Sequence, residues 1–201
     1  MSEAHKSRHQ QLHSSRRLAR VFALLGVYEW IADPELTAAK ITEGLQSLIE
    51  DEDGGPVEGA GVTTADWAVC DRELFTTLLS GVVAQHAALE EVFAPFVDRD
   101  LKRVSLVERS ILLLGAYELM HCPQTPYRVI LNEDVELAKR FGSGYRFTNA
   151  VLERVAEKVR ALEFADDHAK RAAEKAAKAE KTEKVKKVKK VEKVEKVEQA
   201  G

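Results

Sequence analysis

Residues 125–152 read TPYRVILNEDVELAKRFGSGYRFTNAVL, and this stretch decides the fold. Thr125 is placed to cap a helix whose first position is Pro126, where the missing N–H costs nothing. Val129, Val135, Leu137, Ala138 and Phe141 recur at helical spacing, and Gly142 follows where helices commonly end. A glycine joint, Gly142-Ser143-Gly144, leads into an aromatic-basic entry, Tyr145-Arg146-Phe147, and a second helix. A short loop between two buried helices can present such side chains to a ligand. Asn132, Glu133, Asp134 and Glu136 read as a solvated face of the first helix, because their spacing scatters them around it.

Working outward, the rest of the chain is helical too. Ser105-Leu106-Val107-Glu108 is a capping box, and the nearly all-apolar Ser110–Leu119 behind it reads as a helix buried on every side. Towards the N-terminus, Thr64 opens a helix that runs, bent, to about Val97, with Pro95 near its end. Asp33-Pro34 starts a helix to about Glu50. The glycine-rich acidic loop 51–61 lacks the ligand order of an EF-hand. The first helix is expected from Ser14 or Ser15 to about Ile31, with Leu18, Val21, Phe22, Leu25 and Tyr28 along its core stripe. Residues 1–13 have no apolar face and read as a disordered tail, so His5, His9 and His13 are not taken as metal ligands. The final helix runs from about Arg146 past Arg160, and the alanine-rich 165–179 can extend it. Beyond that, valines at every third residue spiral around a helix without forming a seam, which leaves a lysine-rich low-complexity arm.

Charge is segregated along the chain. Residues 1–20 carry five Lys/Arg against one acid and residues 169–201 carry twelve against six, leaving −13 on residues 21–168. An acidic body with basic ends suits a protein that grips a polyanion locally and turns another face to a basic protein. No apolar run approaches the roughly 18 residues of a membrane span, and the polar N-terminus cannot serve as a secretory signal, so a cytoplasmic protein is expected. Cys70 and Cys122 fall in no metal-ligand spacing and read as unreactive thiols.

Arg16, Arg17 and Arg20 crowd the expected start of the first helix, where the helix dipole favours acids instead. A rule broken at a terminus is a signal of function. Guanidiniums beside free backbone N–H groups would form an anion trap.

PYRVILNEDVELAKRFG followed by YRFTNAVLERV resembles the C-terminal signature of the NusB family of transcription antitermination factors. Ser15-Arg16-Arg17-Leu18-Ala19-Arg20 through Tyr28-Glu29-Trp30 resembles the family's arginine-rich opening helix, and Leu78–Val97 and Leu106–Leu119 fit its middle helices. The resemblance spans about residues 15–160. It implies an all-α protein of two three-helix bundles packed together, about 14–97 and 98–163, between a tail at 1–13 and a charged tail at 164–201. It further implies a non-enzymatic factor that binds boxA-type single-stranded RNA together with ribosomal protein NusE. With other Nus factors and RNA polymerase, it would promote transcription of ribosomal RNA operons as a monomer or homodimer, with no cofactor or metal. Carried over by position, Arg16, Arg17, Arg20, Tyr28, Arg146 and Phe147 are expected at the RNA, with Phe147 stacking on a base. The partner surface is expected around Lys102, Arg103, Tyr117 and Glu118. Leu18 stands where the family carries another basic residue, Ala150 where it carries glycine, and the loop before Phe147 is two residues shorter. Two other readings compete: a helical scaffold that has lost RNA binding, and the NusB-like domain that precedes an RNA cytosine methyltransferase. The second needs a nucleotide-type fold, which nothing after Arg160 can build.

Overall fold

The computed structural model describes the backbone of residues 3–51, 61–142 and 144–175, and side chains from Ser14 onward apart from Asp51. The imidazoles of His5, His9 and His13, most of the acidic loop and the valine repeat lie outside the described residues. Residues 3–160 belong to one compact unit, and a second unit begins at Ala161. All regular structure among the described residues is helical.

α1 spans Glu3–Ala32, so it begins well before Ser14. This corrects the expected start. Arg16, Arg17 and Arg20 lie mid-helix, where the backbone N–H groups are already spent on the helix itself. The anion trap at a helix terminus does not exist. α2 is Ala38–Asp51 rather than a helix from Asp33; Asp33 and Pro34 form a turn, and Thr37 Oγ1 accepts from Lys40 N at 3.3 Å. The expected long third helix is two elements, α3 (Thr64–Val69) and α4 (Arg72–Phe93). Cys70 is extended, and the Asp71 carboxylate accepts from Leu74 N at 3.0 Å, capping a new helix where the sequence reading saw only a bend.

α5 (Leu106–His121) opens with the expected capping box, Ser105 and Glu108 bonding reciprocally. Every residue from Ser110 to Leu119 is buried, so α5 is the central helix of the first unit. α6 is Tyr127–Phe141 and α7 is Tyr145–Val159. α7 stops at Val159, and a separate helix, α8, covers 161–175, which corrects the continuous final helix. At the break, Arg160 donates to the carbonyls of Leu119 (2.6 Å) and Cys122 (2.9 Å), satisfying the open end of α5.

The layers interlock by direct contact. Asp71 N donates to Ser15 O at 3.2 Å, and the Trp30 ring packs at a tilt against His86 at 4.7 Å, so α1 and α4 run parallel. Arg109 on α5 bonds Glu90 near the end of α4, so α4 and α5 are antiparallel. Phe22, Trp67 and Phe75 meet edge to face at 4.7 and 5.2 Å, joining α1, α3 and α4 in one aromatic cluster. A Cβ at Gly26 would stand 3.0 Å from Leu79 Cδ1, so the glycine lets α1 lie close on α4.

Candidate nucleic-acid interface

The three arginines of α1 have three different fates. Arg20 is 4% exposed and makes a two-pronged ion pair with Glu118 of α5, with Nε 2.9 Å from Oε2 and Nη2 on the other oxygen. A guanidinium sealed in this way cannot reach RNA. Arg20 therefore leaves the expected RNA set, and Glu118, 2% exposed, leaves the expected partner surface. Arg17 is exposed yet held by Glu133 of α6, its Nε and Nη2 at 3.0 and 2.8 Å from the two carboxylate oxygens. Arg16 is half-buried and donates to Thr125 Oγ1 at 3.0 Å, so Thr125 serves α1 rather than capping α6.

Glu133 and Asp134 are both buried, which corrects their reading as a solvated face. Asp134 lies in the apolar stripe of α6 between Ile130 and Ala138, and its Oδ2 has no hydrogen-bond partner. Gly115 of α5 makes the room, since a Cβ there would stand 2.5 Å from that oxygen. Burial pushes the Asp134 carboxyl well up from its ordinary range. The neighbouring charge of Glu118 adds to this, Arg20 opposes it, and Glu133 adds to it again. A neutral Asp134 also balances the cluster, leaving Arg17 and Arg20 against Glu118 and Glu133. The unfolded chain gives up this proton near pH 3.9, while the folded chain holds it to higher pH, so stability is lost as pH rises from about 4 through the folded-state value. Asp134→Asn removes the penalty. Its melting temperature should gain on the wild type progressively between pH 4 and pH 8; a constant difference across that range would contradict the assignment.

The second cluster is at the other end of α5. α7 starts where a Cβ on Gly144 would collide with the Glu108 side chain of the α5 capping box, so only glycine lets the two helix starts meet. Three residues on, Phe147 is half-buried, with the Arg99 guanidinium 4.6 Å from its ring centre. Arg146 is exposed and its Nε donates to Tyr145 Oη at 3.2 Å. Lys102 and Arg103, on the 3₁₀ turn Leu101–Arg103, are exposed. Tyr117 is 8% exposed, and its ring packs over Gly81 and His121. It is a packing residue and not part of an open partner surface. Tyr28 is 42% exposed. Because α1 runs antiparallel to α5, Tyr28 stands towards the Phe147 end.

Phe147 and the arginines do not surround one point. Gly144 is beside Glu108 and Arg20 is beside Glu118, ten residues along α5. At 1.5 Å per residue these levels are about 15 Å apart. Arg16 lies further on, against Cys122. The expected single clasp is thus two separate stations. Sequence reasoning missed Arg99, which no local pattern sets beside Phe147, and the pairing of Arg17 and Arg20 with acids about a hundred residues away.

Among the described residues no group of three His, Cys, Asp or Glu side chains is placed to hold a metal, and no helix is long and apolar enough to cross a membrane. Cys70 and Cys122 are buried, and burial pushes the Cys70 thiol up to about 11. Neither is a nucleophile at neutral pH.

Comparison with known proteins agrees with this architecture. The model of the NusB family matches residues 17–157. A transcription antitermination protein NusB of Thiobacillus denitrificans is 42% identical over 159 residues, covering 78% of this chain and 97% of that protein. Namesakes from Ralstonia nicotianae and Bordetella pertussis are each 42% identical, over 76% and 75% of this chain and 88% and 90% of their own lengths. With the matched region reaching from within α1 into the last turn of α7, this chain belongs to the NusB family of transcription antitermination proteins.

Proposed function

We propose that this protein binds boxA-type single-stranded RNA together with ribosomal protein NusE, and acts with other Nus factors and RNA polymerase to sustain transcription of ribosomal RNA operons. It performs no catalysis. The observation that carries the reading is the half-exposed ring of Phe147 under Arg99, with Arg146 open beside it. An aromatic face flanked by guanidiniums is what an unstacked base and its phosphate require. Arg17 and the rim of Arg16 form a second station, so the strand runs along the protein between the two. Lys102 and Arg103 remain the exposed part of the NusE surface.

The alternative is a helical scaffold without RNA binding. It draws support from the ion pairs of Arg17 and Arg20, because a phosphate at Arg17 must compete with Glu133. The two readings separate at Phe147. Phe147→Ala should weaken binding of a short boxA-like RNA by about 1–3 kcal/mol, roughly 5- to 150-fold, in a fluorescence titration. Its salt dependence should not change, because a ring neutralises no phosphate. Wild-type affinity in the variant would exclude stacking at this ring.

A further inference from the structure

Arg16 also borders a cleft of about 200 Å³ between α1, the first turns of α4 and the turn after α5. Its floor is Leu74 and Cys122, both buried, the thiol held protonated by burial. Its polar lining is Asp71, Glu73, Thr77 and Gln124. Asp71 already spends one oxygen on Leu74 N. Glu73 and Thr77, four residues apart on one face of α4, and Gln124 across from them line it as exposed side chains. A small apolar floor with polar walls can seat one planar ring and hydrogen-bond its edge.

Two carboxylates in the lining repel a phosphate, so the backbone of a bound strand stays at the Arg16 rim and the cleft receives a base. The volume lies below the roughly 300–1,000 Å³ of pockets for drug-sized ligands, which suits a single ring. Carboxylates accept from the exocyclic amine of cytosine, whereas uracil presents a carbonyl oxygen at the same position. Resting on the RNA-binding reading above, we propose that this cleft is a cytosine-selective subsite, with the Glu73 carboxylate distinguishing cytosine from uracil, Gln124 bonding the base edge beside it and Arg16 holding the adjoining phosphate.

The test compares fluorescein-labelled C12 and U12 RNAs at low salt by anisotropy, for the full-length protein and for the double variant Glu73→Ala, Gln124→Ala. The two positions are exposed, and circular dichroism confirms the fold of the variant. The wild type should bind C12 at least tenfold more tightly than U12. In the variant the ratio should fall to within twofold, with U12 affinity unchanged. Equal wild-type affinities, or a preference that survives in the variant, would overturn the cytosine subsite while leaving RNA binding intact. Failure of the wild type to bind either RNA would overturn the subsite, while the RNA-binding reading is decided separately by the boxA-like titration above.

Discussion

Arg20→Ala should destabilise the fold by about 3–5 kcal/mol in urea denaturation. The cost comes mainly from what is left behind. Glu118 is 2% exposed, and without Arg20 its carboxylate would be buried with no cation and with Asp134 and Glu133 close by. Water cannot repay that loss, because the site lies between α1, α5 and α6. The pair itself contributes less than its removal costs, since bringing two ions out of water consumes most of their attraction. Arg20→Met combined with Glu118→Leu should therefore recover most of the lost stability. A loss below about 1 kcal/mol for the single variant would show that the site is wetter than described, and would return Arg20 to the set of residues able to meet RNA.

Gly81→Ala should also destabilise, although the exchange is favourable for an isolated helix by roughly 1 kcal/mol. The opposing effect is larger. A Cβ at position 81 would fall within the Tyr117 ring, which also packs against His121 at 4.8 Å. Either the 8%-exposed ring leaves its place or α4 and α5 part, and overpacking of this kind typically costs 1–3 kcal/mol. The net expectation is a loss of up to about 2 kcal/mol, and Gly81→Ala with Tyr117→Leu should restore much of it by removing the ring. A stabilised single variant would mean that the two helices stand further apart than this packing requires.

The legible parts of the fold were those set by local chemistry. The Ser105–Glu108 capping box and the apolar run behind it define α5 within a residue, because both signals lie inside one helix. The break at Cys70-Asp71 was missed because Asp71 competes with a continuous apolar pattern, and only its bond to Leu74 N shows which wins. The start of α1 was missed for the opposite reason: a polar segment offers no periodicity to read. Asp134 is more instructive. It stands four residues from both Ile130 and Ala138, so periodicity alone places it in the core stripe, and only the expectation that acids face water argued otherwise. Phe147 and Arg146 are expected from the loop between α6 and α7, and the structure leaves the first half-buried and the second exposed. The fate of the α1 arginines was not legible, since Arg17 and Arg20 find their acids 116 and 98 residues away.

The central claim is that α1 presents cations to a single-stranded RNA although part of its arginine set serves the core. The salt dependence of binding measures this directly, because each neutralised phosphate contributes about −0.7 to the log–log slope for a single strand. For a boxA-like RNA titrated from 50 to 200 mM salt, Arg16→Ala with Arg17→Ala should flatten the slope by about 0.7 to 1.4 relative to wild type. An unchanged slope with unchanged affinity would contradict the claim and leave these arginines as struts between α1 and α6.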